Sequence, residues 1–391
     1  MEIGVVLTDI KNMKTRKHKG SFKISQASQV SHPYDRILCL ILSNIKILRF
    51  INPINSNDYK QKYMKGDIPS KCPEFKYREI NFDISAVKGS LTTLKPVDDK
   101  TLVLYRKAIE ILHKLEMLEA RGTLTFREIS RLLYGSVNIN DVRKISNWLN
   151  VEDENPTEIH YDALAMKKKL DIEILKINLD VKVILRQFQT SKAAAGFNTL
   201  GLKARGMYNY EDFTRIIAHE IETHIYRNHN GIQQGLKSLF FHGFPRSDAY
   251  VGGYLVTEEG LALMMEEKAG VLSQKRKRII AGRVLAIYLM DIEELNFNEV
   301  FEILTKTHKF SPNTAYDICI RTFRAGGYTK DHIYFRGYEL VKQFFQESNI
   351  DEQRLLFSGK IGIEWIPMLK TMQANGEIVE PKHLPDFLKK S

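Results

Sequence analysis

His219-Glu220-Ile221-Glu222-Thr223-His224 is the stretch on which the reading of this chain turns, and Thr257-Glu258-Glu259-Gly260-Leu261-Ala262 follows it downstream. Two histidines and a glutamate on one helix, with a second acidic helix start nearby, match the usual build of a catalytic zinc site. In such a site three protein ligands hold the metal, an open position holds water, and a non-ligand carboxylate takes the proton. The spacing departs from the common pattern, His-Glu-x-x-His, in which the histidines are four apart. Here they are five apart. At about 100° per residue, an i,i+5 pair is turned by about 140°, so an ideal α-helix points the two rings away from each other. One π-type turn, with i→i+5 hydrogen bonds, brings them back into line, and such turns concentrate at functional sites. A bulge between Ala218 and Ile225 is therefore a requirement of the metal-site reading.

The helix itself is well supported. Phe213, Ile216, Ile217, Ile221 and Ile225 recur at helical spacing, and Glu211 and Asp212 suit a first turn. Ordinary accounts exist for each motif alone. Glu220 and His224 would make a simple i,i+4 pair. Thr257 would be an N-cap, with Glu258 and Glu259 complementing the helix dipole. His229 and His242 read as structural or surface histidines.

Working outward, residues 180–187 and 199–205 are β-like and place two strands directly before the His219 helix. An edge strand beside a metal helix can take up extended peptide by strand addition. Residues 200–205 are the candidate edge, with Arg205 at its end as a substrate-binding cation. Helical patterns cover 102–118, 125–133, 141–149, 278–289, 298–305, 315–324 and 338–346, and the apolar run 37–50 reads as helix. Residues 1–28 read as a basic, loosely ordered tail. Residues 29–391 read as one catalytic domain with a helical N-terminal portion over about 29–150.

The composition narrows the classes. The chain has 391 residues, 43% of them hydrophobic, enough for a large core. Cys39, Cys72 and Cys319 are far apart and odd in number, so neither a disulfide framework nor a zinc ribbon is expected. The start lacks the apolar core of a secretory signal, and residues 37–51 are interrupted by Asn44, Lys46 and Arg49. A cytoplasmic protein with no membrane span is the expectation. The net charge of +11 is spread along the chain, and the one dense cluster, residues 275–278, reads as a solvated face. No nucleic-acid-binding motif accompanies it, so nucleic acid is the disfavoured partner, and an acidic peptide is as well suited to a positive surface.

The two motifs together resemble the QEGLA-motif family, whose bacterial members are named flavohemoglobin-expression-modulating proteins. Its eukaryotic relatives include the microtubule-associated tyrosine carboxypeptidases. The resemblance rests on His219-Glu220-x-x-x-His224, on Arg227 and Asn230-Gly231, and on Glu258-Glu259-Gly260-Leu261-Ala262. A third block runs from Phe323 through Arg324-Ala325-Gly326-Gly327-Tyr328-Thr329-Lys330-Asp331 to Tyr334-Phe335-Arg336-Gly337. The motif's name has Gln where this chain has Glu258, a position that the family pattern does not use as a ligand.

The resemblance implies one Zn²⁺ per chain held by His219, His224 and Glu259, with Glu220 as general base. The implied fold is α+β, a mainly helical zincin-like metallopeptidase domain with a small β-sheet beside the metal-binding helix. The implied function is a zinc-dependent carboxypeptidase that releases a C-terminal residue from a peptide or protein tail, tyrosine from an acidic tail in the tubulin-acting relatives. Tyr334 is the candidate oxyanion donor. A terminal carboxylate needs a cation, for which Arg227, Arg324, Lys330 and Arg336 are the candidates. The alternatives are a metal-binding regulator without hydrolase activity and a basic nucleic-acid-binding protein.

Overall fold

A computed structural model of the chain describes residues 32–150, 160–187, 189, 191–247 and 252–389. The tail expected over 1–28 lies outside them. The architecture is mainly helical with two small sheets, an α+β arrangement. Helices α1 (Asp99–Glu119), α2 (Leu124–Tyr134) and α3 (Ile139–Leu149) lie close to the ranges read from the pattern. Asp98 and Asn138 cap α1 and α3 with reciprocal side-chain to backbone hydrogen bonds.

The apolar run near the N-terminus is divided. Pro33–Asn44, Ile47–Ile51 and Ser56–Lys65 are helices of 12, 5 and 10 residues. Taken as one segment, Pro33–Lys65 is long and apolar enough to cross a membrane, with 28% of its most apolar window buried. Ile45 at ψ 115° and Lys46 at ψ 81° interrupt it, however, and each piece is shorter than the roughly 20 residues a span needs.

The second sheet has three strands, β1 (Lys182–Arg186), β2 (Ala193–Ala195) and β3 (Thr199–Lys203), in the order β1-β3-β2. β3 pairs with β1 in parallel and with β2 in antiparallel register, Ala195 opposite Leu200. This corrects one expectation. The stretch 200–205 is not an edge, because β3 is the central strand. Leu200, Gly201 and Leu202 are all buried, as a strand covered on both sides should be. The strand facing the site is β2, three alanines with no alternation to announce them. Arg205 lies beyond the end of β3 and is exposed. The helix α4 (Ala163–Lys176) covers the sheet with Ala163, Met166, Leu170 and Ile174, a helical stripe legible in the sequence but not read from it.

The site is carried by two helices in contact. α5 begins as an α-helix (Tyr210–Ile216), passes into a π-helix (Ile217–Ile225) and closes as an α-helical turn (Tyr226–Gly231). Asn209 and Asp212 form its capping box. α6 (Tyr254–Lys268) starts earlier than the sequence suggested, at Gly253 with φ 56°, so Thr257 is not an N-cap. Thr257 is interior, and its hydroxyl accepts the N–H of Ile363 at 3.0 Å. α6 packs along α9 (Ile333–Glu347) and against the π-helical part of α5. At the crossing with α9, Gly260 meets Gly337 backbone to backbone, where a Cβ on Gly260 would lie 2.1 Å from the Gly337 carbonyl. α7 (Gln274–Asp291) and α8 (Pro312–Phe323) complete the wall behind the site.

Candidate active site

The π-helix supplies the turn that the i,i+5 spacing requires. With one extra residue in the turn, His219 and His224 come to lie together, their ring centroids 5.0 Å apart. Thr223, between them, donates its hydroxyl to the carbonyl of Ala218 at 2.9 Å, five residues back, and so satisfies an acceptor in the widened turn. Glu259 arrives from α6. The ligating-type atoms of His219, His224 and Glu259 all lie within 4.8 Å of one another, the single such grouping among the described residues.

Both imidazoles are oriented from behind. His224 Nδ1 is 2.7 Å from Glu258 Oε1, and His219 Nδ1 is 2.7 Å from Glu266 Oε1. The hydrogen bond to Glu258 fixes the tautomer of His224 and leaves its Nε2 to ligate, the arrangement typical of metal-binding histidines, and Glu266 stands in the same place behind His219. The carboxylates are anchored in turn. Glu258 takes the guanidinium of Arg227, and Glu266 lies 3.4 Å from Arg276 Nε. Glu258 is thus more than a change from Gln, since its two oxygens serve a histidine and an arginine at once. Glu258, Glu259, Glu266, His219 and Glu220 are all buried.

The charges respond to this enclosure. Burial opposes ionisation of Glu258, but Arg227 and His224 outweigh it and hold the carboxyl down to about 2. Glu266 is held down to about 2 against burial by Arg276 and His219. Glu259 is lowered too, by Lys330 and the two histidines acting against burial. For His224, burial disfavours the cation, yet Glu258, with Glu220 and Glu259 behind it, raises its pKa above the ordinary value. Three carboxylates stay ionised in a buried site, each beside a cation of the chain itself: Arg227 for Glu258, Arg276 for Glu266 and Lys330 for Glu259. Two imidazoles and a carboxylate make a donor set that suits a zinc-type ion. Ligand atoms around one such ion lie about 3.4 Å apart, so closure from 4.8 Å asks for shifts on the order of 1 Å.

Glu220 stands apart from the trio. Its Oε2 accepts the N–H of Ala195 at 2.7 Å, a bond from the β2 edge that faces away from β3. The carboxylate is thereby pinned between the π-helix and the strand.

A family model for microtubule-associated tyrosine carboxypeptidase matches residues 63–391. The chain belongs to that family. The match runs from the helix Ser56–Lys65 to the C-terminus, so it takes in both site helices and the third sequence block, and it relates the chain to carboxypeptidase-type peptidases. No curated protein matches the chain. Among solved structures, a candidate lipoprotein of unknown function from Shewanella oneidensis aligns over 88% of this chain and 82% of its own, at 11% identity and a TM-score of 0.39. A likeness at that level carries no argument.

The structure sorts the candidate cations. Arg227 is fully buried and spends its guanidinium on Glu258 and on the carbonyls of Leu356, Gly359 and Ile361, at 3.0, 2.8 and 2.7 Å. It cannot also receive substrate. Arg324 is buried against Asn52 Oδ1 at 2.7 Å and stacks on Tyr328 at 4.6 Å. Arg336 lies on the outer face of α9 beside Lys144 and Glu339. Arg205 is exposed. Of the five cations read from sequence, only Lys330 reaches the trio, with Nζ 3.5 Å from Glu259 Oε1. Tyr334 accompanies it, its ring centroid 6.0 Å from Lys330 Nζ. Burial and the Glu259 charge raise the Tyr334 pKa and keep the phenol protonated. Gly326 and Gly327, at φ 108° and 121°, pack closely against Thr123 and Arg127. The cluster 275–278 is no solvated face either, since Arg276 serves Glu266 and Arg278 is buried over Phe310 at 4.7 Å.

Sequence reasoning missed Glu266, Arg276 and Arg283. Glu266 carried a usable signal, for it follows Glu259 by seven residues and shares its helix face. His229 and His242 stay outside the trio, as expected. Burial and the nearby Lys360, Lys107 and Lys46 push His242 down to about 3, so the folded state keeps it neutral. Its folded pKa lies below the unfolded value, so the unfolded chain binds the extra proton and stability falls as pH drops from about 6.5 toward 3. A tenfold change in proton affinity is worth about 1.4 kcal/mol, which makes the loss about 2 kcal/mol between pH 7 and pH 5. Urea unfolding at the two pH values is expected to show His242→Gln losing about 2 kcal/mol less than wild type, the remaining loss falling to His229, His332 and His383, which burial also keeps below their ordinary value. An unchanged pH dependence in the variant would refute the assignment.

Proposed function

We propose that this chain is a zinc-dependent peptidase of carboxypeptidase type, with His219, His224 and Glu259 as metal ligands and Glu220 as general base. The observation that carries the proposal is the π-helical turn Ile217–Ile225, which unites histidines that an α-helix would separate. Turns of this kind concentrate at functional sites. A bound zinc ion would supply a Lewis acid and a water acidified to near-neutral pKa. The chain's own groups then divide the work. Ala195 holds Glu220 Oε2, which leaves Oε1 to take a proton from the attacking water and return it to the leaving amine. The outer edge of β2 beside it offers backbone groups to an extended peptide. Tyr334, held protonated, is the proposed donor to the developing oxyanion.

The substrate part of the proposal is a peptide or protein C-terminal tail, with tyrosine as the released residue and an acidic tail as the preferred context. Support comes from the family's description and from the chain's net charge of +11. Cys39, Cys72 and Cys319 are all free thiols, which fits the cytoplasmic location proposed with it.

Elemental analysis tests the metal reading. Purified protein is expected to carry about one zinc per chain, and His224→Ala and Glu259→Ala to lose it, with metal affinity lowered more than about 10-fold. Wild-type protein that remains metal-free after supplementation with zinc would overturn the proposal.

A further inference from the structure

Behind the trio stands a concentration of cations of which the sequence motifs announced only Lys330. Arg276 and Arg283 lie on one face of α7, Arg321 comes from the end of α8, and Lys330 and Asp331 come from the short helix Thr329–His332. These four cations share three carboxylates, all with prior claims. Glu266 serves His219 and Arg276, and Glu259 belongs to the trio and Lys330. Asp331 Oδ2 is taken by Arg321 Nε, leaving Arg283 Nε 3.8 Å away. Arg276 Nε and Arg283 Nε both lack a hydrogen bond, and Arg283 is the one left farther from its carboxylate, at 3.8 Å against 3.4 Å for Arg276. The Arg283 side chain is only 13% exposed. Burial and the neighbouring Arg321 push it down to about 10, more than Asp331 can offset.

A buried guanidinium with unmade hydrogen bonds is costly, and a carboxylate is the group whose two oxygens match its fork. Arg283 is also close to the chemistry. Its guanidinium lies 5.5 Å from the centroid of the Tyr334 ring, and Lys330 Nζ lies 6.0 Å from the same centroid and 3.5 Å from Glu259. One aromatic ring therefore separates the under-coordinated cation from the residues around the trio.

We propose that Arg283, flanked by Lys330 and Arg321, is the receptor for a carboxylate group of the ligand, namely the terminal carboxylate of a peptide whose last bond lies at the His219–His224–Glu259 trio. The inference rests on the peptidase reading and adds the group that would make cleavage terminal. Asp331 has a definite part in it. Sharing Oδ2 between two arginines while Oδ1 has no partner, it leaves the positive charge of the cluster under-neutralised. A side-chain carboxylate on a peptide's last residue carries the same chemistry, so the two sources have to be separated by experiment.

The test is peptide binding to zinc-supplemented Glu220→Gln protein, in which turnover does not interfere. Three peptides of one sequence are compared: a free acid ending in tyrosine, its C-terminal amide, and an amide whose last residue is glutamate. The free acid is expected to bind at least 10-fold more tightly than the tyrosine amide, and Arg283→Gln to reduce that ratio to near one. Asp331→Asn is expected to act in the opposite direction, preserving or raising the ratio, because it removes a competing carboxylate. A merely structural ion-pair cluster would be damaged alike by both substitutions. If Arg283→Gln fails to fold, Arg321→Gln against Asp331→Asn gives the same opposed signs. Tight binding of the glutamate amide alone would overturn the terminal-carboxylate assignment. Equal binding of acid and tyrosine amide, with zinc present and peptide cleaved by the parent protein, would sink the receptor and leave the peptidase standing. Absence of binding by any peptide would remove both.

Discussion

Glu220→Gln is expected to reduce turnover of a cleavable peptide by about 10³-fold while zinc content and folding stay at the wild-type level. The geometry makes this a clean substitution. Glu220 is outside the trio of ligand atoms, and its Oε2 accepts the N–H of Ala195 at 2.7 Å. A glutamine oxygen can accept the same bond, so the side chain keeps its place between the π-helix and β2. What it loses is the ability to carry a proton. General-base removal of this kind costs about 10²–10⁴-fold. The loss should fall on kcat rather than KM, since the carboxylate acts on the attacking water and not on bound peptide. Steady-state kinetics, metal analysis and thermal unfolding of the pair decide it. Turnover within tenfold of wild type would remove Glu220 as the base, and with it the division of labour proposed for the site.

The legible part of the site was the part fixed by local geometry. Helical angle arithmetic alone required one extra residue per turn between Ala218 and Ile225, and Ile217–Ile225 is π-helical. Glu211 and Asp212 announced the start of α5, which the Asn209–Asp212 capping box confirms. The parts that escaped depend on partners distant in sequence. Ala193–Ala195 has neither alternation nor β-branching, so nothing marked it as the strand beside Glu220. Without it, the sheet order β1-β3-β2 could not be anticipated, and the central strand was taken for the edge. Arg227 follows His224 by three residues and so shares its side of the helix. Its partners Leu356, Gly359 and Ile361 lie some 130 residues away. A buried structural arginine and a substrate-binding one look alike until such carbonyls are placed. Arg283 was overlooked for the converse reason. It belongs to no motif, and its significance lies in the hydrogen bonds that its surroundings fail to supply.

Gly260→Ala should cost about 3 kcal/mol of stability and weaken metal retention as well. In an isolated helix the same change would help, since alanine is favoured over glycine by about 1 kcal/mol. The sign is reversed here by the crossing of α6 with α9. A Cβ on Gly260 would stand 2.1 Å from both the carbonyl carbon and oxygen of Gly337, and 2.7 Å from its Cα. These are backbone atoms, which cannot rotate aside as a side chain would. The crossing is tight in both directions, for a Cβ on Gly337 would meet the carbonyl oxygen of Val256 at 2.0 Å. The helices must therefore separate, and overpacking of this severity exceeds the usual 1–3 kcal/mol range or sits at its top. Glu259 is the residue immediately before Gly260 on α6, so any displacement of that turn moves a proposed ligand relative to His219 and His224 on α5. Gly89→Ala provides the contrast. Gly89 is exposed within the helix Ile84–Thr92, with nothing near its prospective Cβ, so the substitution should stabilise by up to about 1 kcal/mol. Chemical denaturation of the two variants, with zinc content measured on the same samples, separates the cases. If Gly260→Ala is as stable as Gly89→Ala and holds its metal, the helices are not in backbone contact, and the close approach does not set the position of Glu259.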